Sequence, residues 1–198
     1  NNFNIGMVAY PGLYDWSPDC MTIVFTHTVS PKAHDWSTAR ISLLNIGSAN
    51  ITPLIEINAP VFEPIFSPDG RWIVFAVSDV PAITGSEFKF YVLELSTGKS
   101  MALADTLDHR PNFVGWSADS KRIYYTEMSG TSVQLFALPI KGEPEAITEK
   151  TGVIQFPALN KNQKFIGFTY QTTDQPPEVY ISSIDRFIPH RITRLNIE

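Results

Sequence analysis

With Cys20 as its single cysteine, the chain has no intrachain disulfide available, which excludes a stapled mini-fold. Charge is scarce at 18% of residues, while hydrophobic residues reach 43%, the balance of a folded globular chain rather than a disordered one. Lys and Arg number 15 in 198 residues, the formal charge is −5 and no basic stripe occurs, so a phosphate-tracking surface and hence nucleic acid are excluded as partners. No apolar run approaches the ~18 residues that span a bilayer, and the expectation is a soluble, cytoplasmic or periplasmic/secreted segment with no membrane partner. The sequence holds no Gly-rich phosphate loop, zinc spacing or calcium loop, so neither cofactor nor metal is expected. Nor does any stretch sustain a helical period. The chain opens on Asn1-Asn2-Phe3 with no initiator Met or signal peptide, which reads as a processed or excised piece.

What is there is a repeat. Trp16-Ser17-Pro18-Asp19 precedes Thr22-Ile23-Val24-Phe25, and Phe66-Ser67-Pro68-Asp69-Gly70 precedes Trp72-Ile73-Val74-Phe75. Trp116-Ser117-Ala118-Asp119 precedes Arg122-Ile123-Tyr124-Tyr125, and an eroded copy, Leu159-Asn160-Lys161-Asn162, precedes Phe165-Ile166-Gly167-Phe168. Ser-Pro-Asp-Gly suits a tight hairpin turn: Pro presets φ, Asp tolerates the next position and Gly takes the left-handed one. Only the second copy keeps that Gly. Cys20, Ser120 and Gln163 replace it elsewhere, and each is predicted to sit left-handed at a cost of roughly 1–2 kcal/mol.

Each copy has a second half. Third strands are predicted at Ile41–Leu44, Tyr91–Leu95, Leu135–Leu138 and Val179–Ser182, with fourth strands near Thr52, Met101, Glu145 and Arg191. Four short strands per repeat make the blade of a β-propeller. The expected fold is therefore all-β: four consecutive four-stranded antiparallel blades at about 8–58, 59–106, 107–151 and 152–196. A β-sandwich also has short strands at regular spacing, but it does not require the same hairpin turn to recur. Starting at a first strand near Val8–Trp16 and stopping at a fourth, the chain reads as an open part of a larger propeller. Its end strands would be sticky, making a homo-oligomer through open blade edges an expected partner state.

The loops between second and third strands, His27–Ala39 and Val77–Phe88, are long and share one face with the links between blades. His34-Asp35 in the first of these is a candidate dyad, and Asp105, Asp108 and His109 before the third blade are candidates for substrate or interdomain contact. No catalytic residue is assigned. Gly115-Trp116-Ser117-Ala118-Asp119 begins like a nucleophile elbow, but its Ser belongs to the hairpin turn. Trp16, Phe66 and Trp116 share one place in their blades and are predicted to be core residues rather than a stacking platform.

The turn-plus-strand motif, best kept in Phe66–Phe75, resembles the repeat shared by TolB-like proteins and the propellers of the prolyl oligopeptidase family of serine peptidases. Thr172–Ile181, with its Pro177-Glu178-Val179-Tyr180 strand, resembles dipeptidyl- and acylaminoacyl-peptidase-like members, and Arg191–Asn196 resembles the segment at which their propellers end. This resemblance implies a propeller of seven or eight blades that screens peptide substrates for an α/β-hydrolase domain of the same parent chain, expected after residue 198. The implied role here is substrate gating without catalysis. The alternative is a TolB-like propeller that binds proteins or peptides and has no enzymatic activity.

Overall fold

The computed structural model describes residues 14–83, 85–148 and 151–195. The expected strand start at Val8 and the final Asn196 of the last motif lie outside them. The chain divides into two compact units, Asn1–Leu103 and Ala104–Glu198.

In the first unit, β1 (Tyr14–Trp16), β2 (Thr22–His27), β3 (Arg40–Asn45) and β4 (Ile51–Pro53) form one sheet in chain order. A second sheet follows with β5 (Val61–Phe66), β6 (Trp72–Ser78), β7 (Phe88–Glu94) and β8 (Lys99–Ala102). In the second unit the same meander appears twice, as β9 (Asn112–Trp116), β10 (Arg122–Ser129), β11 (Ser132–Pro139) and β12 (Glu145–Ala146), then as β13 (Val153–Leu159), β14 (Phe165–Gln171), β15 (Glu178–Ser183) and β16 (His190–Arg191). A single parallel bridge, Val133 to Val153, joins these last two meanders into one sheet. All other pairings among the described residues are antiparallel. The architecture is all-β, built from the blades of a β-propeller.

The repeated turn forms as its chemistry dictates. Ser17 Oγ donates to Asp19 Oδ1 at 2.6 Å, Asp19 Oδ1 accepts the Met21 amide at 3.0 Å, and Ser17 Oγ accepts the Thr22 amide at 2.9 Å. Ser67, Asp69, Arg71 and Trp72 repeat these bonds, as do Ser117, Asp119, Lys121 and Arg122. In the eroded copy one Asn160 Oδ1 takes the amides of both Lys164 and Phe165. The Ser17 and Ser117 hydroxyls hold the Asp19 and Asp119 carboxyls below the usual carboxylate range. The fourth turn residue is left-handed in every copy: φ is 60° at Cys20, 69° at Gly70, 57° at Ser120 and 55° at Gln163. Three side-chain bonds at about 1 kcal/mol each exceed the roughly 1–2 kcal/mol that a non-glycine residue costs there.

Bulges in three first strands were not foreseen, one of them in β9 where Tyr124 and Tyr125 face Gly115 and Phe113. The register of β5 on β6 shifts between Phe62 and Ile65, and that of β13 on β14 between Gln155 and Ala158. At these points Glu63 and Phe156 have φ of 52° and 51°, each just ahead of a proline. Proline cannot donate to a ladder, so the chain kinks where Pro64 and Pro157 fall. The 3₁₀ turn Ala33–Thr38 was likewise not foreseen, being too short to carry a helical period.

Alternation in the second and third strands builds the core. In the first unit Val24, Ile41, Val61, Phe66, Ile73, Phe75 and Leu93 pack together, so the two sheets share one interior. Directly opposed aromatic rings recur between second and third strands: Phe75 on Tyr91, Tyr125 on Phe136 and Phe168 on Tyr180, with centroids 5.2–5.9 Å apart. The expectation that Trp16 is core like its counterparts is corrected. Phe66 and Trp116 are 7% and 3% exposed, but Trp16 is 47% exposed.

Two measurements test this account. A Cβ at Gly70 meets only ordinary contact with Pro18 at 3.6 Å, so Gly70→Ala is expected to destabilise by the conformational term alone, about 1–2 kcal/mol in urea unfolding. Cys20→Gly, at an exposed site, is expected to shift the midpoint the other way; the same sign for both would refute the turn argument. The half-buried Glu63 carboxyl is pushed above its ordinary 4.5 by desolvation. Its stabilising contribution is therefore full below pH 4.5 and is lost as pH rises through the raised value. Glu63→Gln should raise Tm at pH 7 more than at pH 4, and an equal gain at both would show that charge is not the cause.

Candidate functional site

Antiparallel order within each sheet puts the loop between second and third strands at the same end as the link that follows the fourth. The first such loop, residues 28–39, is tied down from within. The Ser30 hydroxyl donates to Asp35 Oδ2, Thr38 Oγ1 donates to the Asp35 carbonyl at 2.6 Å, and the Val29 amide donates to Thr38 Oγ1 at 3.1 Å. Trp36 stacks on Phe62 of the second sheet, and Phe62 meets Phe88 edge-on. Asp35 is thus largely a structural residue of the turn. Its other oxygen lies 3.4 Å from His34 Nε2, whose side chain is 77% exposed. This is an imidazole with an orienting carboxylate and, among the described residues, no nucleophile hydrogen-bonded to it.

In the second unit the link 104–111 is fixed by a carboxylate that the sequence reading missed. Glu127 on β10 is fully buried, and accepts from Thr106 Oγ1 at 2.6 Å, the Leu107 amide at 2.9 Å and the Arg110 amide at 3.1 Å. Three donors satisfy a charge that would otherwise be prohibitive to bury. Asp105 and Asp108 are exposed on this link and His109, with φ of 52°, is half-buried beside them. The structure therefore places Asp105, Asp108 and His109 on one braced loop, while His34 and Asp35 belong to the other unit. Among the described residues no group of three His, Cys, Asp or Glu could hold a metal ion. Large apolar tips stand out on the same loops: Val29, Val80, Ile83 and Leu107 are all exposed.

A second bracing carboxylate, Glu178 at the start of β15, is also buried. It accepts from the Thr193 hydroxyl and, at 2.8 Å, from the Leu195 amide, while Thr193 Oγ1 accepts the Val179 amide at 2.9 Å. The Pro-Glu-Val-Tyr strand and the Thr-Arg-Leu segment, read separately in the sequence, are two halves of one clasp. The signal was a lone carboxylate within a strand: Glu127 follows Tyr124-Tyr125-Thr126, and Glu178 opens Val179-Tyr180-Ile181.

The first unit also contains a cavity of about 450 Å³ lined by His27, Arg40, Ile41, Ser42, Pro53 and residues 55–58. His27 Nε2 lies 2.9 Å from Ser42 Oγ, and Arg40 Nη1 donates to the carbonyls of Ala39 and Ala59 at 2.7 and 3.2 Å. Burial, with a smaller contribution from Arg40, pushes the His27 imidazole down from its ordinary value. Ser117 lies in its turn with its hydroxyl engaged by Asp119 and the Arg122 amide, which removes it as a nucleophile. No described helix is long and apolar enough to cross a membrane.

Removing the braces is expected to free the loops they hold. Glu127→Ala leaves three donors unsatisfied, and about 3 kcal/mol of lost protection should speed amide exchange at Leu107 and Arg110 roughly 100-fold. Glu178→Ala should do the same at Leu195. Unchanged exchange at these amides, in a variant that keeps its global stability, would show that the carboxylates do not position the loops.

No protein-family model matches the chain. Dipeptidyl-peptidase 5 of Trichophyton equinum is 27% identical over 140 residues, which is 65% of this chain and 19% of that protein. Dipeptidyl-peptidase 5 of Porphyromonas gingivalis is 27% identical over 149 residues, 72% of this chain and 22% of that protein. The chain thus spans about one fifth of the length of the curated relatives it matches. Among solved structures, TolB from Acinetobacter baumannii has a TM-score of 0.65 at 19% identity over 93% of this chain and 43% of its own. A prolyl endopeptidase has a TM-score of 0.65 at 13% identity, covering 96% of this chain and 29% of its own. An oligogalacturonate lyase in complex with manganese reaches 0.69 at 12% identity, over 91% of this chain and 52% of its own. At these identities the structural likeness is one of fold. Together with the peptidase relatives it agrees with the resemblance to propellers of prolyl oligopeptidase-like peptidases.

Proposed function

We propose that the chain is a non-catalytic, substrate-gating propeller segment of a prolyl oligopeptidase-like serine peptidase that cleaves short peptides. The observation that carries this reading is the sequence similarity to dipeptidyl-peptidase 5 over 65–73% of the chain. The partner is then an α/β-hydrolase domain of the same parent chain, with the blades forming part of a seven- or eight-bladed ring. The apolar tips Val29, Val80 and Ile83 of the first unit, and Leu107 of the second, each suit contact with another domain. His34, Asp35, Asp105, Asp108 and His109, on loops at the corresponding strand ends, are the polar groups that would meet a peptide or that domain. The Glu178–Thr193 clasp would set the path by which the chain passes from the last blade into the hydrolase.

A second reading, a TolB-like module that binds proteins or peptides without catalysis, is favoured by the extent of the fold match to TolB, 93% of the chain. Sequencing the gene beyond Glu198 separates the two. The expected result is an α/β-hydrolase domain carrying Gly-x-Ser-x-Gly, and a parent protein that releases dipeptides from a chromogenic amide while the 198-residue chain alone does not. A stop codon soon after one closing blade, or turnover by the chain alone, would sink the proposal.

A further inference from the structure

The second and third strands oppose two aromatic rings in three of the four blades, but in the first blade Phe25 faces Ser42. Ser42 stands where Tyr91, Phe136 and Tyr180 stand in their blades. The His27 imidazole, 5.6 Å from the Phe25 ring and 2.9 Å from Ser42 Oγ, covers this serine, and the cavity of about 450 Å³ opens beside the pair. This opening has a specific lining. Pro53, Ile55 and Ile57 supply an apolar wall, while Ser42, 1% exposed, lies behind the His27 imidazole with its hydroxyl engaged by it.

Arg40 decides the chemistry. Its Nη1 is anchored by two backbone carbonyls, which fixes the guanidinium plane, and among the described residues it has no carboxylate within ion-pair distance. A half-buried, oriented and unneutralised guanidinium on a cavity wall is a carboxylate receptor, because its remaining N–H groups match the two oxygens. His27, kept neutral by burial, adds no competing charge. Glu56, exposed at the same cavity and not paired with Arg40, disfavours a second negative charge on the ligand. A mostly apolar pocket with a few convergent polar groups is the usual form of a small-molecule site.

We infer that the cavity over Ser42 in the first blade binds a monocarboxylate carried on a branched apolar body, with Arg40 taking the carboxylate and the isoleucine wall taking the body. The same chemistry is offered by a free small acid and by the carboxy end of an apolar peptide. This inference is independent of the proposed peptidase role, since it concerns only side chains of the first blade.

The test is an NMR titration of the 198-residue chain with N-acetyl-L-leucine, following the His27 imidazole and Ser42 amide signals. N-acetyl-L-leucinamide serves as the uncharged control. The acid is expected to bind, and the amide to bind about ten-fold more weakly or worse. Ser42→Phe, which restores the ring of the other blades, is expected to remain folded and lose binding; Arg40→Gln should lose the preference for acid over amide. An N-acetylated tetrapeptide ending in leucine separates the sources: comparable binding assigns the site to chain ends, and its exclusion to free acids. Equal shifts with acid and amide, no shifts with either, or full acid binding by Ser42→Phe would overturn the inference.

Discussion

Every sheet depends on the contact between a serine hydroxyl and an aspartate carboxylate two residues later. In the first three blades this clamp closes the hairpin turn, forces the following residue left-handed and sets the register between first and second strands. Register in turn decides which side chains face the neighbouring sheet, since a one-residue slip would move the whole apolar set to the other face. The ring just before the turn and the Ile-Val-Phe run just after it are thereby committed to the core. The fourth blade keeps the geometry with a different atom, the Asn160 amide oxygen, which shows that the acceptor position matters more than charge.

Carboxylates do two opposite things in this chain. Those in the turns are exposed or nearly so and act locally. Glu127 and Glu178 are buried and act at a distance in sequence, Glu127 gathering two backbone amides and Glu178 one, each with a threonine hydroxyl, from a segment that has no strand of its own. Such segments cannot satisfy their amides by pairing, so a buried acceptor takes over that task. The link that Glu127 holds carries Asp105, Leu107, Asp108 and His109, among the groups proposed for contact with other molecules.

The strands and turns were legible in the sequence because their cause is local: alternation, aromatic positions and Ser-Pro-Asp chemistry all lie within ten residues of each other. The left-handed positions at Cys20, Ser120 and Gln163 followed from alignment with Gly70. What escaped was whatever depends on a neighbour far along the chain. Trp16 has the same local setting as Trp116 and a different fate, exposed where Trp116 is buried. Glu127 looked like one charge among many until the link came to rest on it. The Ser42 cavity is visible only once the strands are paired, because the missing ring is defined by its partner Phe25 and not by its sequence neighbours.

The outermost strand of each blade is short: three residues in β4, four in β8 and two each in β12 and β16. Each runs antiparallel to its neighbour, so tension applied through the following link loads its hydrogen bonds one after another rather than together. The inner pairs, such as β10 with β11 along eight residues, share no such weakness of length. Under a pulling force each blade would therefore be stripped from its rim inwards, giving way at the rim while the inner hairpins still hold.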